Sequence, residues 1–237
     1  MRKRIIAVII ILLGAALLAA ALLLFLHNQR EDEEAGEASA TILSEIESII
    51  AERSGQSGDA AAEDGDGVSE ASPGATPSTG KTAASLSPSA TKKPQSGEMP
   101  VVTVGGYDYI GFIEIPSQEL RLPVMSEWDY GRLATAPCRQ FGSTYTDDLV
   151  IAAHNFSEHF GKLWYVEEGD AVRFTDMDGH VNRYKVEVVS KLNPTDVDAV
   201  QNSGYDLVLY TCTNGGAYRV VVFCNRDDTS SQSAKTK

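Results

Sequence analysis

Three residues of this chain have the types and spacing to do chemistry together. In "DLVLYTCTNGGAYRVVVFC", Asp206 to Cys224, a cysteine closes one apolar run and an arginine opens the next. A hairpin centred between Gly215 and Gly216 makes Cys212 and Arg219 direct cross-strand partners, because they are equidistant from that centre. Opposed side chains share a sheet face, with Cβ atoms about 4.5–5.5 Å apart, so a guanidinium would lie beside a thiol. A fixed positive charge lowers a thiol pKa and stabilises the oxyanion formed when sulfur attacks a carbonyl. His154, where the apolar run "LVIAAHNF" turns polar, adds a proton carrier. Cysteine and histidine together are the nucleophile and acid/base of acyl transfer. Each residue also has an ordinary reading: free cysteine behaves as a small buried hydrophobe, and arginine beside a strand is a solvated edge residue. A one-residue slip in the hairpin would put Cys212 and Arg219 on opposite faces, so the reading depends on register. The other histidines, His27 at the end of the N-terminal apolar run and His159 and His180 in polar connections, are expected to be solvated.

To bring these residues together, the C-terminal half must be rich in strands. Short β-branched and aromatic runs at 101–104, 109–115, 120–125, 149–153, 171–176, 183–192, 206–211 and 218–224 predict eight strands, enough for a small barrel. Asp178-Gly179, in the polar break "DMDGHVN", predicts a hairpin turn. "HFGKLWYV" predicts one short helix, and "NPTDVDAVQ" another with Thr195 as its N-cap. A domain of about 125 residues can bury one core of its own.

Composition narrows the classes. A net charge of −13 argues against a nucleic-acid binder, which needs a basic face to neutralise phosphates. Three cysteines, Cys138, Cys212 and Cys224, are too few for a disulfide scaffold and have no zinc-type spacing. Cys138 and Cys224 are left as either one disulfide or two unpaired thiols.

The N-terminus predicts a membrane anchor. After Arg2, Lys3 and Arg4, the uncharged run Ile5–Leu26 is long enough, at 1.5 Å per residue, to cross a hydrocarbon core of roughly 30 Å. It exceeds a signal-peptide core and ends in "FLHNQR" rather than a small-residue cleavage site. Basic residues before it and "EDEE" after it place the N-terminus in the cytoplasm and the rest outside a cell membrane crossed once. The expected organisation is a basic tip and transmembrane anchor at 1–30, a juxtamembrane helix and flexible acidic and Ser/Pro/Gly linker at 31–100, a catalytic domain at 101–227 and a disordered tail at 228–237. Within the linker, Ile42, Leu43, Ile46, Ile49 and Ile50 fall at helical spacing. The stretch from Gly55 to Gly97 has no period and reads as a spacer, holding the domain on the order of 35–40 Å from the helix end.

"LVLYTC" followed seven positions on by Arg219, with "VIAAHN" upstream, resembles the sortases, the membrane-anchored cysteine transpeptidases of Gram-positive bacteria. "YIGFIEIPSQELRLPVM" is similar to their early strand pair, and the anchor-plus-linker plan is theirs as well. The resemblance implies a mainly β fold, a compact eight-stranded barrel with short connecting helices. It also implies Cys212 as nucleophile, His154 as general acid/base, Arg219 as stabiliser of substrate or oxyanion, and Thr211 as the threonine before the nucleophile. Val208 departs from the family's TLxTC pattern, which has threonine there. The implied reaction cleaves an LPxTG-like C-terminal sorting motif of secreted proteins and passes the acyl group, through a thioester, to an amine of a peptidoglycan precursor or pilin lysine. An inactive sortase-like peptide-binding module and an anchored structural wall protein are the competing readings. No cofactor is implied. A calcium site cannot be told from surface charge at Glu114, Glu167, Glu168 and Asp170. The segment Asn193–Tyr205 is too short for the helical insertion usual in class B, and no N-terminal lid motif is evident.

Overall fold

The computed structural model describes residues 2–59 and 98–227. The elements run α1 (Arg2–Asp59), β1 (Val102–Val104), β2 (Tyr107–Ile115), β3 (Leu120–Met125), β4 (Cys138–Phe141), β5 (Leu149–Ala152), β6 (Ala171–Asp176), β7 (Val181–Leu192), α2 (Val197–Gln201), β8 (Leu207–Cys212) and β9 (Arg219–Arg226). The sheet order is β1-β2-β3-β4-β5-β8-β9-β7-β6, and β6 also pairs with β2. That last pairing closes an eight-stranded barrel from β2 to β9, with β1 added along β2. Closure depends on Gly111, whose φ is 145° and where a Cβ would stand 2.0 Å from the Thr175 carbonyl oxygen. Only glycine permits that approach of β6 to the bulged strand β2.

Seven of the eight expected strands are barrel strands, and the eighth expected strand, at 101–104, is the added β1. The missing barrel strand is β4, four residues in "CRQF" with a bulge against β5 between Arg139 and Phe141. Such a short run, with two long polar side chains, carries no strand period. "HFGKLWYV" forms a 3-10 turn, Phe160–Tyr165, and the N-cap position of α2 is Asp196 rather than Thr195, with no side-chain capping hydrogen bond.

The largest core fills the barrel, with Ile113, Leu122, Ile151, Phe174, Leu209 and Val222 among its side chains. A second apolar layer lies outside, where α1 packs across β1, β2 and β3: Ile46 is fully buried among Tyr109, Phe112, Met125 and Met177, with Ile42, Leu43, Ile49 and Ile50 around it. The predicted helical stripe is therefore a docking face. It belongs to one helix continuous with the apolar run Ile5–Leu26, which is long and apolar enough to cross a membrane. Polar contacts extend the seam. Asp32 accepts from the Ser157 hydroxyl and the Glu158 backbone N–H, Ser39 donates to the Thr135 carbonyl at 2.9 Å, Glu47 pairs with Arg121, and Arg53 donates to the Met177 carbonyl at 3.2 Å. The domain is thus held against α1 itself. Residues 60–97 of the predicted linker and the predicted tail 228–237 lie outside the described residues.

Candidate active site

The hairpin register is the expected one: β8 and β9 pair antiparallel with Cys212 opposite Arg219. Gly215 and Gly216 take φ values of 80° and 73°, the left-handed region that a tight hairpin turn requires. On the other side, β5 runs parallel to β8, with Val150 opposite Val208 and Ala152 opposite Tyr210. His154 stands two residues beyond Ala152, and Cys212 two residues beyond Tyr210. Continued two residues past its last pair, this parallel register sets histidine and cysteine at one level on neighbouring segments, adjacent strands being about 4.8 Å apart. Three separate sequence segments converge because β8 is the shared middle strand.

Two contacts fix this end of the ladder. The buried Thr211 hydroxyl donates to the Ala153 carbonyl at 2.9 Å, tying the residue before the cysteine to the residue before the histidine. One level further, the Asn155 side-chain amide donates to Asn214 Oδ1 at 3.0 Å. Thr211 so acts on the relative placement of the two strands. Val208, where the family pattern has threonine, is buried in an apolar cluster with Val150, Val200, Val221 and Phe223. There a hydroxyl would have to find a partner, and valine fills the space without needing one.

Cys212 is half-buried, whereas Cys138 and Cys224 are fully buried and unpaired. Burial pushes the Cys138 thiol up to about 11 and raises that of Cys224 further, so both are poor thiolates. They sit in different apolar clusters, Cys138 beneath α1 and Cys224 in the barrel, which resolves the open choice in favour of two free thiols. Arg219 donates through Nη1 to the Gly216 and Tyr218 carbonyls, both at 3.1 Å. These bonds hold the guanidinium over its own turn, and its Nε and Nη2 have no acceptor among the described residues.

His154 is gripped by rings, with the edge of Tyr130 at 5.7 Å and Phe156 at 5.0 Å between centroids. Its pKa is lowered by desolvation, with Glu31 on α1 acting in the opposite direction, so the neutral imidazole is favoured at neutral pH. No ring nitrogen of His154 is hydrogen-bonded among the described residues.

His159, expected to be solvated, is fully buried under α1, its Nε2 3.2 Å from the Ser39 hydroxyl. Burial lowers its pKa to about 4. A sequence segment more than a hundred residues away covers it, which no local pattern announces. His27 and His180 are exposed as expected, beside Glu31 and Asp176 respectively.

A groove runs from Arg219 across the outer face of the sheet. Tyr210, Phe141, Trp128, Leu192, Pro194 and Val200 line it. It encloses about 210 Å³. The Tyr210 hydroxyl donates to Gln140 on β4, so the strand missed in the sequence forms one groove wall.

Among the described residues, no group of three or more His, Cys, Asp and Glu side chains is placed to share a metal ion. Glu114 pairs with Arg121, and Asp170 accepts from Ser117 and from the Glu167 backbone, as surface carboxylates do.

The family model of the Sortase domain matches residues 113–227. Among solved structures, sortase A from Corynebacterium diphtheriae is 24% identical, with 52% of this chain and 62% of that chain covered and a TM-score of 0.46. Sortase C from Streptococcus pneumoniae is 25% identical over 50% of this chain and 68% of that one, with a TM-score of 0.45. Clostridium perfringens sortase C with its C-terminal cell wall sorting motif is 22% identical over 51% and 71%, also with a TM-score of 0.45. No curated protein matches the chain. The closed eight-stranded barrel and the family match from within β2 to β9 agree, and residues 113–227 of the chain form a Sortase domain.

Proposed function

We propose that the chain is an active cysteine transpeptidase in which Cys212 is the nucleophile, His154 the general acid/base and Arg219 the oxyanion or substrate stabiliser. The observation that carries this reading is the pair of registers flanking β8, which brings three chemically apt residues from three segments to one end of one sheet. The Cys212 thiol passes its proton to the neutral His154 as its sulfur attacks the backbone carbonyl carbon of a threonine in an LPxTG-like sorting motif. Arg219 uses its uncommitted N–H groups on the carbonyl oxygen as charge develops there. His154 protonates the departing amine as the C–N bond breaks, leaving a thioester on Cys212. An amine then attacks the thioester, His154 accepts a proton, and sulfur leaves. Thr211 acts as a positioning residue through Ala153. The apolar groove beside Arg219 suits the extended peptide on the acyl side, and the anchor suits work outside a Gram-positive cell membrane on secreted proteins. The acceptor is a peptidoglycan-precursor amine or a pilin lysine.

The test is transpeptidation of a panel of LPxTG-like peptides in the presence of a primary amine, followed by mass spectrometry. An amide product from the wild type and none from Cys212→Ala is expected. A wild type that binds peptides and yields neither thioester nor amide would favour the inactive binding module.

A further inference from the structure

A second cavity opens at His154, separate from the peptide groove. It lies between the first turns of α1 beyond the apolar run and the domain, encloses about 600 Å³ and shares no wall residue with the groove. Glu31 and Glu34 form its α1 wall, and Tyr130, Thr135, Phe156 and His154 its domain wall. Both carboxylates are solvated, and Glu31 is near enough to act on the charge of His154. The cavity therefore combines negative charge, aromatic edges and a histidine with no other hydrogen-bond partner, at a point where the peptide groove does not reach.

Resting on the transpeptidase reading, we propose that this cavity is the entry site for the amine acceptor, and that Glu31 and Glu34 on the anchor helix select a primary ammonium group. The chemistry asks for both features. A cationic acceptor is concentrated by the carboxylates and sheds one proton to water before it can attack. As its nitrogen bonds to the thioester carbon, that nitrogen becomes positively charged again. Glu31 and Glu34 stabilise this charge until His154, neutral after protonating the first leaving group, takes the second proton. The C–S bond breaks, the new amide leaves, and the proton on His154 returns to the Cys212 thiolate. Water, the competing nucleophile, gains nothing from the carboxylates until late in attack, so the site biases the thioester toward aminolysis. Its position fits an acceptor held near a membrane: Glu31 follows Leu26 by only about 7.5 Å of helix.

The experiment uses the full chain in detergent, a sorting-motif peptide that acylates it, and the partition of the acyl-enzyme between amide and hydrolysed product. Glu31→Gln/Glu34→Gln should lower the amide-to-hydrolysis ratio with a lysine-type amine about tenfold, within the range for charge-steered encounters, and less at high salt. With hydroxylamine, uncharged at neutral pH, the ratio should match that of the wild type. An unchanged lysine ratio, or an equal fall with both nucleophiles, would overturn the acceptor site while leaving the transpeptidase reading intact. A wild type that forms no acyl-enzyme would remove that reading and this inference with it.

Discussion

At the residue scale, the active-site reading separates three roles that kinetics can tell apart. Cys212→Ala should abolish thioester formation, and His154→Ala should fall to near background because the leaving amine is left without a proton donor. Arg219→Lys is more discriminating: lysine keeps the charge and loses the planar fork. If directed bonds to an oxyanion are what Arg219 supplies, kcat/KM for a sorting-motif peptide should fall on the order of 10²–10³, as removal of an oxyanion donor does. Retention of most activity would reduce its role to a positive field. The three thiols give a further measurement. A thiol-reactive reagent applied to the folded chain should label half-buried Cys212 and spare Cys138 and Cys224, whose burial both shields them and raises their pKa. Equal labelling of all three would remove the distinction on which the choice of nucleophile rests.

At the element scale, what decides the site is which strands flank β8. The β8–β9 register was legible because two glycines mark the centre of a tight turn between apolar runs, and His154 was legible because a buried strand ends in a polar residue. That β5 is the parallel neighbour of β8 was not, since parallel pairing joins segments far apart in sequence and leaves no local signature. Neither was β4, whose four residues are broken by a bulge. The stripe at Ile42–Ile50 showed that a face would be buried without showing against what. His159 makes that docking testable. In the fold its pKa is lowered to about 4, from an ordinary value near 6.5, by burial and by neighbouring His154, with Asp32 and the Ala35 backbone acting the other way. A lowered histidine pKa means that the unfolded chain binds the extra proton first. The neutral ring's contribution is therefore fully present above about pH 6.5 and is lost as pH falls toward 4, by on the order of 1 kcal/mol at pH 5.5. Thermal melts of the wild type should drop across that window, and His159→Gln should flatten the dependence. A parallel pH profile in the variant would assign the effect to other groups.

At the scale of the whole molecule, α1 serves twice, as a helix long and apolar enough to cross a membrane and as part of the wall beside His154. With Ile5–Leu26 in a bilayer, the site works close to its surface. Inserting seven residues between Leu26 and Glu31 adds about 10.5 Å of helix while nearly preserving which face meets the domain. In vesicles, turnover of a membrane-anchored sorting substrate should fall, with turnover of a soluble peptide retained; equal turnover of both would show that height above the membrane is immaterial. On the proposed mechanism, Cys212 and no other thiol reaches a peptide carbonyl. The most direct measurement is to trap the acyl-enzyme of the full chain with a sorting-motif peptide and no amine, digest it, and locate the added mass. The account predicts a thioester on the peptide carrying Cys212, absent from Cys212→Ala, and a thioester on Cys138 or Cys224 would contradict it.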